Sequence, residues 1–137
     1  MKLLSLPHPI FQILSFLVGI FNARMGITRR NFTWQRHRNL GLLYYGMSMA
    51  GLAGGLLMNE TLEEGGLRLD LGSHLEVGFL MTPFFLVAGL LGFLIRLWPT
   101  RRGFLMPIHK YLNLASLLLF VYQGYTGISA LFRAFLS

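Results

Sequence analysis

The chain of 137 residues has no cysteine and very little acid. The lack of cysteine excludes disulfides, iron–sulfur clusters and the thioether attachment of a c-type haem. Only 12% of the residues are charged, with five acids against twelve bases, whereas 54% are hydrophobic. Soluble domains of this size rarely carry so little charge, so the composition favours a membrane protein.

Four stretches contain no charged residue: 3–23, 39–59, 77–95 and 111–132. Each is close to the ~20 residues that a helix needs to cross a hydrocarbon core. They predict helices over about 9–23, 37–58, 74–98 and 108–135, and no strand pattern accompanies them. We therefore expect one all-α domain, 1–137, folded as a four-helix transmembrane up-down bundle of two tandem helical hairpins.

The charges are divided between the ends of these predicted helices. Most bases lie in and beside segments 24–38 and 99–107, while every acid lies in or beside segment 59–73. The positive-inside rule then makes loops 24–38 and 99–107 cytoplasmic and puts both termini on the opposite side. This distribution explains the pI near 10.6 without nucleic acid. It favours an integral protein of a bacterial inner membrane or a thylakoid-type membrane, whose arginines set orientation and contact lipid.

A short phrase occurs twice in the chain. Segment 28–32 reads Thr-Arg-Arg-Asn-Phe, segment 100–104 reads Thr-Arg-Arg-Gly-Phe, and the same spacing leads from each to His37 and to His109. The two copies predict a duplication, with two equivalent loops joining parallel hairpins around an axis along the membrane normal.

The four histidines lie near the beginnings of the four predicted helices, at His8, His37, His74 and His109. Helices in an up-down bundle begin at alternate ends, so His8 should face His74 and His37 should face His109. Two facing imidazoles suit the two axial positions of a haem iron, whereas zinc usually takes four ligands. The alternative is that these histidines cap helices or contact lipid headgroups.

Small and basic residues lie near both predicted pairs. Glycines that would admit a porphyrin between helices, or allow close helix packing, are Gly19, Gly54, Gly55, Gly89, Gly92, Gly124 and Gly127. Bases that would bind haem propionates are Arg24, Arg36, Arg38 and Lys110.

The pattern resembles the cytochrome b561 family in the broad sense. That resemblance implies a four-helix core, two haem b groups on opposite membrane faces, and His8, His74, His37 and His109 as axial ligands. The chain also looks like a short bacterial and plastid family of uncharacterised four-helix membrane proteins. The residues that carry this second likeness are His8-Pro9, His37-Arg38 and segment 123–127, Gln-Gly-Tyr-Thr-Gly.

The expected function is transmembrane electron transfer by a small di-haem b-type cytochrome. As an enzyme it would be a membrane oxidoreductase that exchanges electrons with a quinone, a metal ion or a small carrier. The acidic loop favours a cationic or basic redox partner, and a quinone is the alternative partner. Two other functions stay open: a non-redox scaffold or assembly subunit, and a pigment-binding protein. The sequence gives no oligomeric state.

Overall fold

The computed structural model of the protein describes residues 7–66 and 72–136, with side chains described up to residue 133. Within these residues the fold is entirely helical, as predicted. Its four helices are α1 (Pro7–Thr28), α2 (Trp34–Glu64), α3 (Ser73–Leu97) and α4 (Arg102–Leu136), and a short 3-10 turn, Pro99–Arg101, precedes α4. All four helices are long and apolar enough to cross a membrane.

The helices are longer than predicted where hydrophobicity falls off before the helix ends. Helix α1 continues to Thr28 and stops where Arg29 adopts a left-handed conformation with φ of 58°. Helix α2 begins at Trp34 because the Thr33 hydroxyl accepts a hydrogen bond from the Arg36 N–H at 3.2 Å. Helix α4 begins before Pro107, not after it as predicted. Pro107 is the sixth residue of α4 and lies inside the helix, where it cannot donate the usual backbone hydrogen bond to the residue four positions earlier.

The two hairpins pack tightly within themselves and more loosely against each other. Helix α1 packs along α2 and α3 packs along α4, whereas the α1–α4 and α2–α3 contacts are far fewer. The hairpins meet through a buried aromatic cluster at mid-height, which includes Tyr44, Phe85 and Phe120. Space therefore remains between the hairpins at both ends of the bundle.

Each helix turns one regular row of residues toward the bundle interior. Counting from its histidine, the row takes positions 0, 4, 7, 11, 14 and 18, and none of its members is exposed. This alternation of four and three is the heptad spacing of left-handed helix bundles. In α1 and α4 the rows are His8, Gln12, Ser15, Gly19, Asn22, Gly26 and His109, Asn113, Ser116, Phe120, Gln123, Gly127. In α2 and α3 they are His37, Gly41, Tyr44, Ser48, Gly51, Gly55 and His74, Gly78, Met81, Phe85, Ala88, Gly92.

The repeated phrase of the sequence does not repeat as structure. Thr28 is the last residue of α1, whereas Thr100 lies in the 3-10 turn after α3. Phe32 packs beside His37, with ring centroids 5.5 Å apart, but Phe104 is 70% exposed. The physical reason is length, because 29 residues separate the histidines of the first hairpin and 35 separate those of the second. The extra residues lengthen α3 and α4 by about a turn each.

We name the two ends of the bundle by their charges. The acidic end, where α1 and α3 begin, carries the described acids Glu60, Glu63, Glu64 and Glu76. The basic end, where α2 and α4 begin, carries Arg29, Arg30, Arg36, Arg38, Arg96, Arg101, Arg102 and Lys110. Asp70 and Arg68 lie outside the described residues.

Candidate functional site

The structure brings the four histidines together in two facing pairs. At the acidic end, the ring centroids of His8 and His74 are 6.4 Å apart and the ring planes meet at 82°. At the basic end, His37 and His109 are 6.3 Å apart at 83°. Both pairs join the two hairpins, since α1 faces α3 and α2 faces α4. The near-identical geometry shows that both ends are built on one plan.

Every histidine ring lies against a glycine of the neighbouring helix in its own hairpin. The ring Cε1 atoms of His8, His37, His74 and His109 approach Gly55, Gly26, Gly127 and Gly92 respectively. A Cβ placed on these glycines would lie only 2.8, 2.9, 2.8 and 3.1 Å from Cε1. A Cβ would therefore force the ring to shift at Gly55, Gly26 and Gly127 and would be tight at Gly92, so glycine permits this close approach.

The backbone beside each glycine fixes the histidine ring. His74 Nδ1 donates to the Gln123 carbonyl at 3.2 Å, and His109 Nδ1 donates to the Ala88 carbonyl at 3.0 Å. Each carbonyl belongs to the residue four positions before the contacted glycine. Because a carbonyl can only accept, the Nδ1 of these two rings carries the proton and Nε2 keeps its lone pair. At His74 this lone pair faces the Gln123 amide nitrogen, 3.5 Å from Nε2.

The other two rings approach the backbone in the same way. The rings of His8 and His37 are directed at the backbone of Gly51 and Asn22, again four positions before the glycine. His8 Nδ1 stays outside strict hydrogen-bond geometry, and His37 Nδ1 also has the Asn22 amide nitrogen 2.8 Å away. All four rings thus approach the backbone four positions before the glycine, but only His74 and His109 make the Nδ1–carbonyl hydrogen bond. In the first hairpin His8 Nδ1 has no partner among the described residues, and His37 Nδ1 accepts from the Asn22 amide.

Four side-chain amides lie near the histidines on α1 and α4, and three of them hydrogen-bond to histidine backbone carbonyls. The Gln123, Asn113 and Asn22 amide nitrogens donate to the backbone carbonyls of His74, His109 and His37, at 2.9, 2.7 and 3.0 Å. The fourth amide, Gln12, packs on Gly51. Gly41, Gly51 and Gly78 of α2 and α3 make room for Asn22, Gln12 and Gln123. Helices α1 and α4 thus both supply the amides, and α2 and α3 both supply the glycines that accommodate them. The repeated phrase groups the helices differently, because its two copies precede His37 of α2 and His109 of α4.

The amide oxygens differ between the two ends. At the basic end, Asn113 Oδ1 accepts from the Tyr45 hydroxyl at 2.7 Å, and Asn22 Oδ1 accepts from the Gly41 N–H at 3.2 Å. At the acidic end, the side-chain oxygens of Gln12 and Gln123 are buried without a protein partner. A buried acceptor without a donor is costly, so these two oxygens mark a place where the bundle interior is open to a further group.

A cavity surrounds each histidine pair. The acidic-end cavity has a volume of about 510 Å³ and the basic-end cavity about 410 Å³, both within the usual range of ligand pockets. The aromatic cluster divides them, with Phe85 and Phe120 lining the first and Tyr44 the second. Among the described residues, no Asp, Glu, Lys or Arg lines the acidic-end cavity. Arg29, Arg102 and Lys110 line the basic-end cavity.

The predicted propionate-binding residues are dispersed in the structure. Lys110 lines the basic-end cavity, whereas Arg24 and Arg36 are exposed away from it. Arg38 donates to Asn39 Oδ1 at 3.2 and 3.0 Å. Sequence reasoning missed Arg29, Arg102 and Trp34, which line this cavity instead. Arg29 and Arg102 each belong to one copy of the repeated phrase. Each copy holds two consecutive arginines, and the sequence does not show which of the two faces the cavity.

The expected glycines are partly the ones that contact histidines. Gly55, Gly92 and Gly127 do so, whereas Gly19 and Gly89 meet Tyr44 and Tyr45. Gly54 and Gly124 have nothing within 4 Å of an added Cβ. Gly26 was missed, although the sequence holds a clear signal for it.

That signal is a spacing of eighteen residues between histidine and glycine, present in every helix: His8–Gly26, His37–Gly55, His74–Gly92 and His109–Gly127. Eighteen residues make about five turns and roughly 27 Å, so both residues lie on one face at opposite ends of a helix.

Comparison with known proteins finds no matching family model, no matching curated protein and no matching solved structure. Within the described residues, no group of three or more His, Cys, Asp or Glu is placed to hold a metal ion. In the described part of the chain, each end of the bundle therefore offers one pair of facing histidines and no larger cluster of these residue types.

Proposed function

We propose that this protein is a small di-haem b-type cytochrome that transfers electrons across a membrane. One haem would be held between His8 and His74, and the other between His37 and His109. The observation that carries the proposal is the spacing of the facing imidazoles, 6.4 and 6.3 Å between ring centroids. A metal–imidazole bond of about 2.0–2.1 Å, made on both sides of one ion, separates the ring centres by roughly 6 Å.

The hydrogen bonds of the rings support the same proposal. A histidine that ligates a metal usually donates its second N–H to a carbonyl or carboxylate, which fixes both ring orientation and tautomer. His74 and His109 do this through Nδ1, so Nε2 is the nitrogen that would bind a metal. At His74 a metal would displace the 3.5 Å contact between Nε2 and the Gln123 amide nitrogen. A helix cap or a headgroup contact would require neither the glycine under each ring nor a second histidine opposite.

The packing of the bundle supports a flat cofactor. The cavities lie between the hairpins, where helix contacts are few, while the ligating rings are held from within each hairpin. A flat macrocycle can enter such a gap without disturbing the contacts that orient its ligands. Cofactor sites in helix bundles are built from facing helices in this way.

The placement of the two pairs supports transfer over distance. A haem with two axial histidines exchanges single electrons and has no open coordination position. The pairs lie roughly 27 Å apart along the helices, close to the thickness of a hydrocarbon core. Tyr44, Phe85 and Phe120 fill the space between, with centroids 5.3 Å apart for Tyr44–Phe85 and 6.2 Å for Phe85–Phe120.

The charges of the two ends support an orientation and a class of partner. By the positive-inside rule the basic end faces the cytoplasm and the acidic end faces the other side. Glu60, Glu63 and Glu64 are exposed at the end of α2, where they would attract a cationic or basic electron carrier. A quinone at either interface is the competing partner.

An absorbance spectrum of the detergent-purified full chain tests the proposal. We expect dithionite to produce the bands of six-coordinate b-type haem, with about two haems per chain by pyridine haemochrome assay. A folded but colourless protein would exclude the cytochrome, and chlorophyll bands would favour a pigment-binding protein instead.

The ferric protein should also show perpendicular axial imidazoles. Planes at 82° and 83° let each imidazole interact with a different iron dπ orbital, so these orbitals stay nearly equal in energy. We expect both haems to give highly anisotropic low-spin EPR signals with a large maximum g value. Ordinary rhombic signals of parallel imidazoles would contradict the geometry described above.

Two adjacent glycines provide a matched test of the acidic-end pair. A Cβ on Gly55 would lie 2.8 Å from His8 Cε1, whereas a Cβ on Gly54 would meet nothing within 4 Å. We expect Gly55→Ala to shift the potential of the His8/His74 haem or to weaken its binding, and Gly54→Ala to leave both unchanged. Both changes raise helix propensity by about 1 kcal/mol, so that effect cancels in the comparison. Equal behaviour of the two variants in a redox titration would refute the role of the Gly55 contact.

A further inference from the structure

Trp34 helps to line the basic-end cavity and carries a buried polar atom that the protein leaves unpaired. Its indole Nε1 is buried without a hydrogen-bond partner, and the residue lines the cavity at the start of α2. A buried N–H without an acceptor is destabilising, and buried tryptophans usually find a partner. The position therefore calls for an acceptor supplied by whatever fills the cavity.

Three cationic side chains line the same cavity and come from both hairpins. Arg29 lies between α1 and α2, while Arg102 and Lys110 lie on the first turns of α4. No carboxylate lines the cavity within the described residues, and the described acids lie at the opposite end. Hydrogen-bond donors and positive charges from both hairpins thus line one cavity, and no described carboxylate of the protein neutralises them there.

Arg29 is held close to the histidine pair. Its backbone is left-handed, a conformation that is uncommon for residues other than glycine and recurs at functional sites. Its guanidinium lies over the Phe32 ring, 4.4 Å from the centroid, and Phe32 in turn packs beside His37. Through Phe32, Arg29 is thus linked to His37, and both residues line the same cavity.

We propose that Trp34, Arg29 and Arg102 form a carboxylate-binding site for the two propionate groups of the haem at the basic end. The inference rests on the proposed cytochrome function and deepens it. Guanidinium groups pair well with carboxylates, often through two parallel hydrogen bonds, and the indole N–H supplies a further donor.

The acidic-end cavity has no such set. Its described lining carries no cation, and its unpaired polar atoms are the acceptor oxygens of Gln12 and Gln123, which would repel an ionised carboxylate. Among the described residues, only the basic-end cavity is therefore lined by cations that could bind propionates. The two ends share their histidine geometry but differ in how they recognise the edge of the porphyrin.

The test uses the full chain with the acidic-end site removed by His8→Ala and His74→Ala, so that only the basic-end site is titrated. The haem-free protein in detergent is titrated with haem and with haem dimethyl ester, whose propionates are esterified and uncharged. We expect haem to bind more tightly than the ester by tenfold or more. Arg29→Gln and Arg102→Gln should each weaken haem binding by about tenfold, and Trp34→Phe by a smaller factor, with little effect on the ester.

Arg36→Gln is the matched control, because Arg36 is an exposed arginine at the same end that does not line the cavity. Equal affinities for haem and its ester in the parent protein would overturn the carboxylate site while leaving the cytochrome proposal intact. Equal losses for both ligands in the arginine variants would overturn it too, because the arginines would then act through folding or lipid contact. Failure of the parent protein to bind either porphyrin would instead count against the cytochrome itself.

Discussion

The variant His109→Ala should hold one haem, half of the two that we propose for the unaltered chain. His109 faces His37 alone, and the nearest other histidine pair lies at the far end of the bundle, roughly 27 Å away. Loss of this imidazole leaves the basic-end haem with a single ligand, whereas nothing changes around His8 and His74. We expect the pyridine haemochrome assay to give about half the haem per chain, with the remaining EPR signal unchanged.

Because two histidines would share each haem, replacing either member of a pair should have the same effect. His37→Ala should remove the same haem as His109→Ala, and the double variant should lose no more than either single one. His8→Ala should remove the other haem and leave the signal that is lost in His109→Ala. Equal loss of both haems in every variant would contradict two independent sites, and additive loss in the double variant would contradict a shared one.

Electron transfer across a membrane should stop in any chain that keeps only one haem. Without the second haem, no electron acceptor lies at the opposite end of the bundle, so the remaining haem has no redox partner in the protein to which it could pass the electron. The measurement uses vesicles that contain the protein and trapped ferricyanide, with a membrane-impermeant reductant added outside. The unaltered chain should bleach the trapped oxidant, while His109→Ala and His8→Ala should match protein-free vesicles.

Gly46→Ala is a suitable control for this experiment, since an added Cβ there meets nothing within 4 Å and the position lies outside the interior rows. It should transfer electrons at the rate of the unaltered chain. Fast transfer through either single-haem variant would mean that a diffusing carrier crosses the bilayer instead. The protein would then exchange electrons at the membrane surface and would not carry them across the bilayer itself.

The fold could be predicted because hydrophobic length determines it. Four uncharged stretches of about twenty residues allow little besides four spanning helices, and alternating helix directions bring His8 to the end of His74 and His37 to the end of His109. Helix ends were less predictable. They depend on local features, such as the Thr33 cap and the left-handed Arg29, that hydrophobicity does not report.

The surroundings of the histidines were harder to derive than their pairing. Whether an arginine faces the cavity depends on the rotation of its helix and on loop conformation. The sequence therefore favoured Arg24, Arg36 and Arg38 as propionate-binding residues, whereas in the structure Arg29 and Arg102 line the cavity. The support of the rings by backbone carbonyls cannot be seen in side-chain identities at all. The histidine–glycine spacing of eighteen was visible, but sixteen glycines in the chain conceal a pattern that involves only four of them.

The separation of the two histidine pairs by five helical turns also ties the proposed cytochrome to the electrical state of its membrane. An electron that passes from one pair to the other crosses most of the low-dielectric core as a net charge. Its equilibrium position between the two haems then shifts by about 2.3 kcal/mol for every 100 mV of transmembrane voltage. With the basic end in the cytoplasm, a negative interior favours the electron at the acidic end. The membrane voltage would thus set which of the two haems is the more reduced at equilibrium.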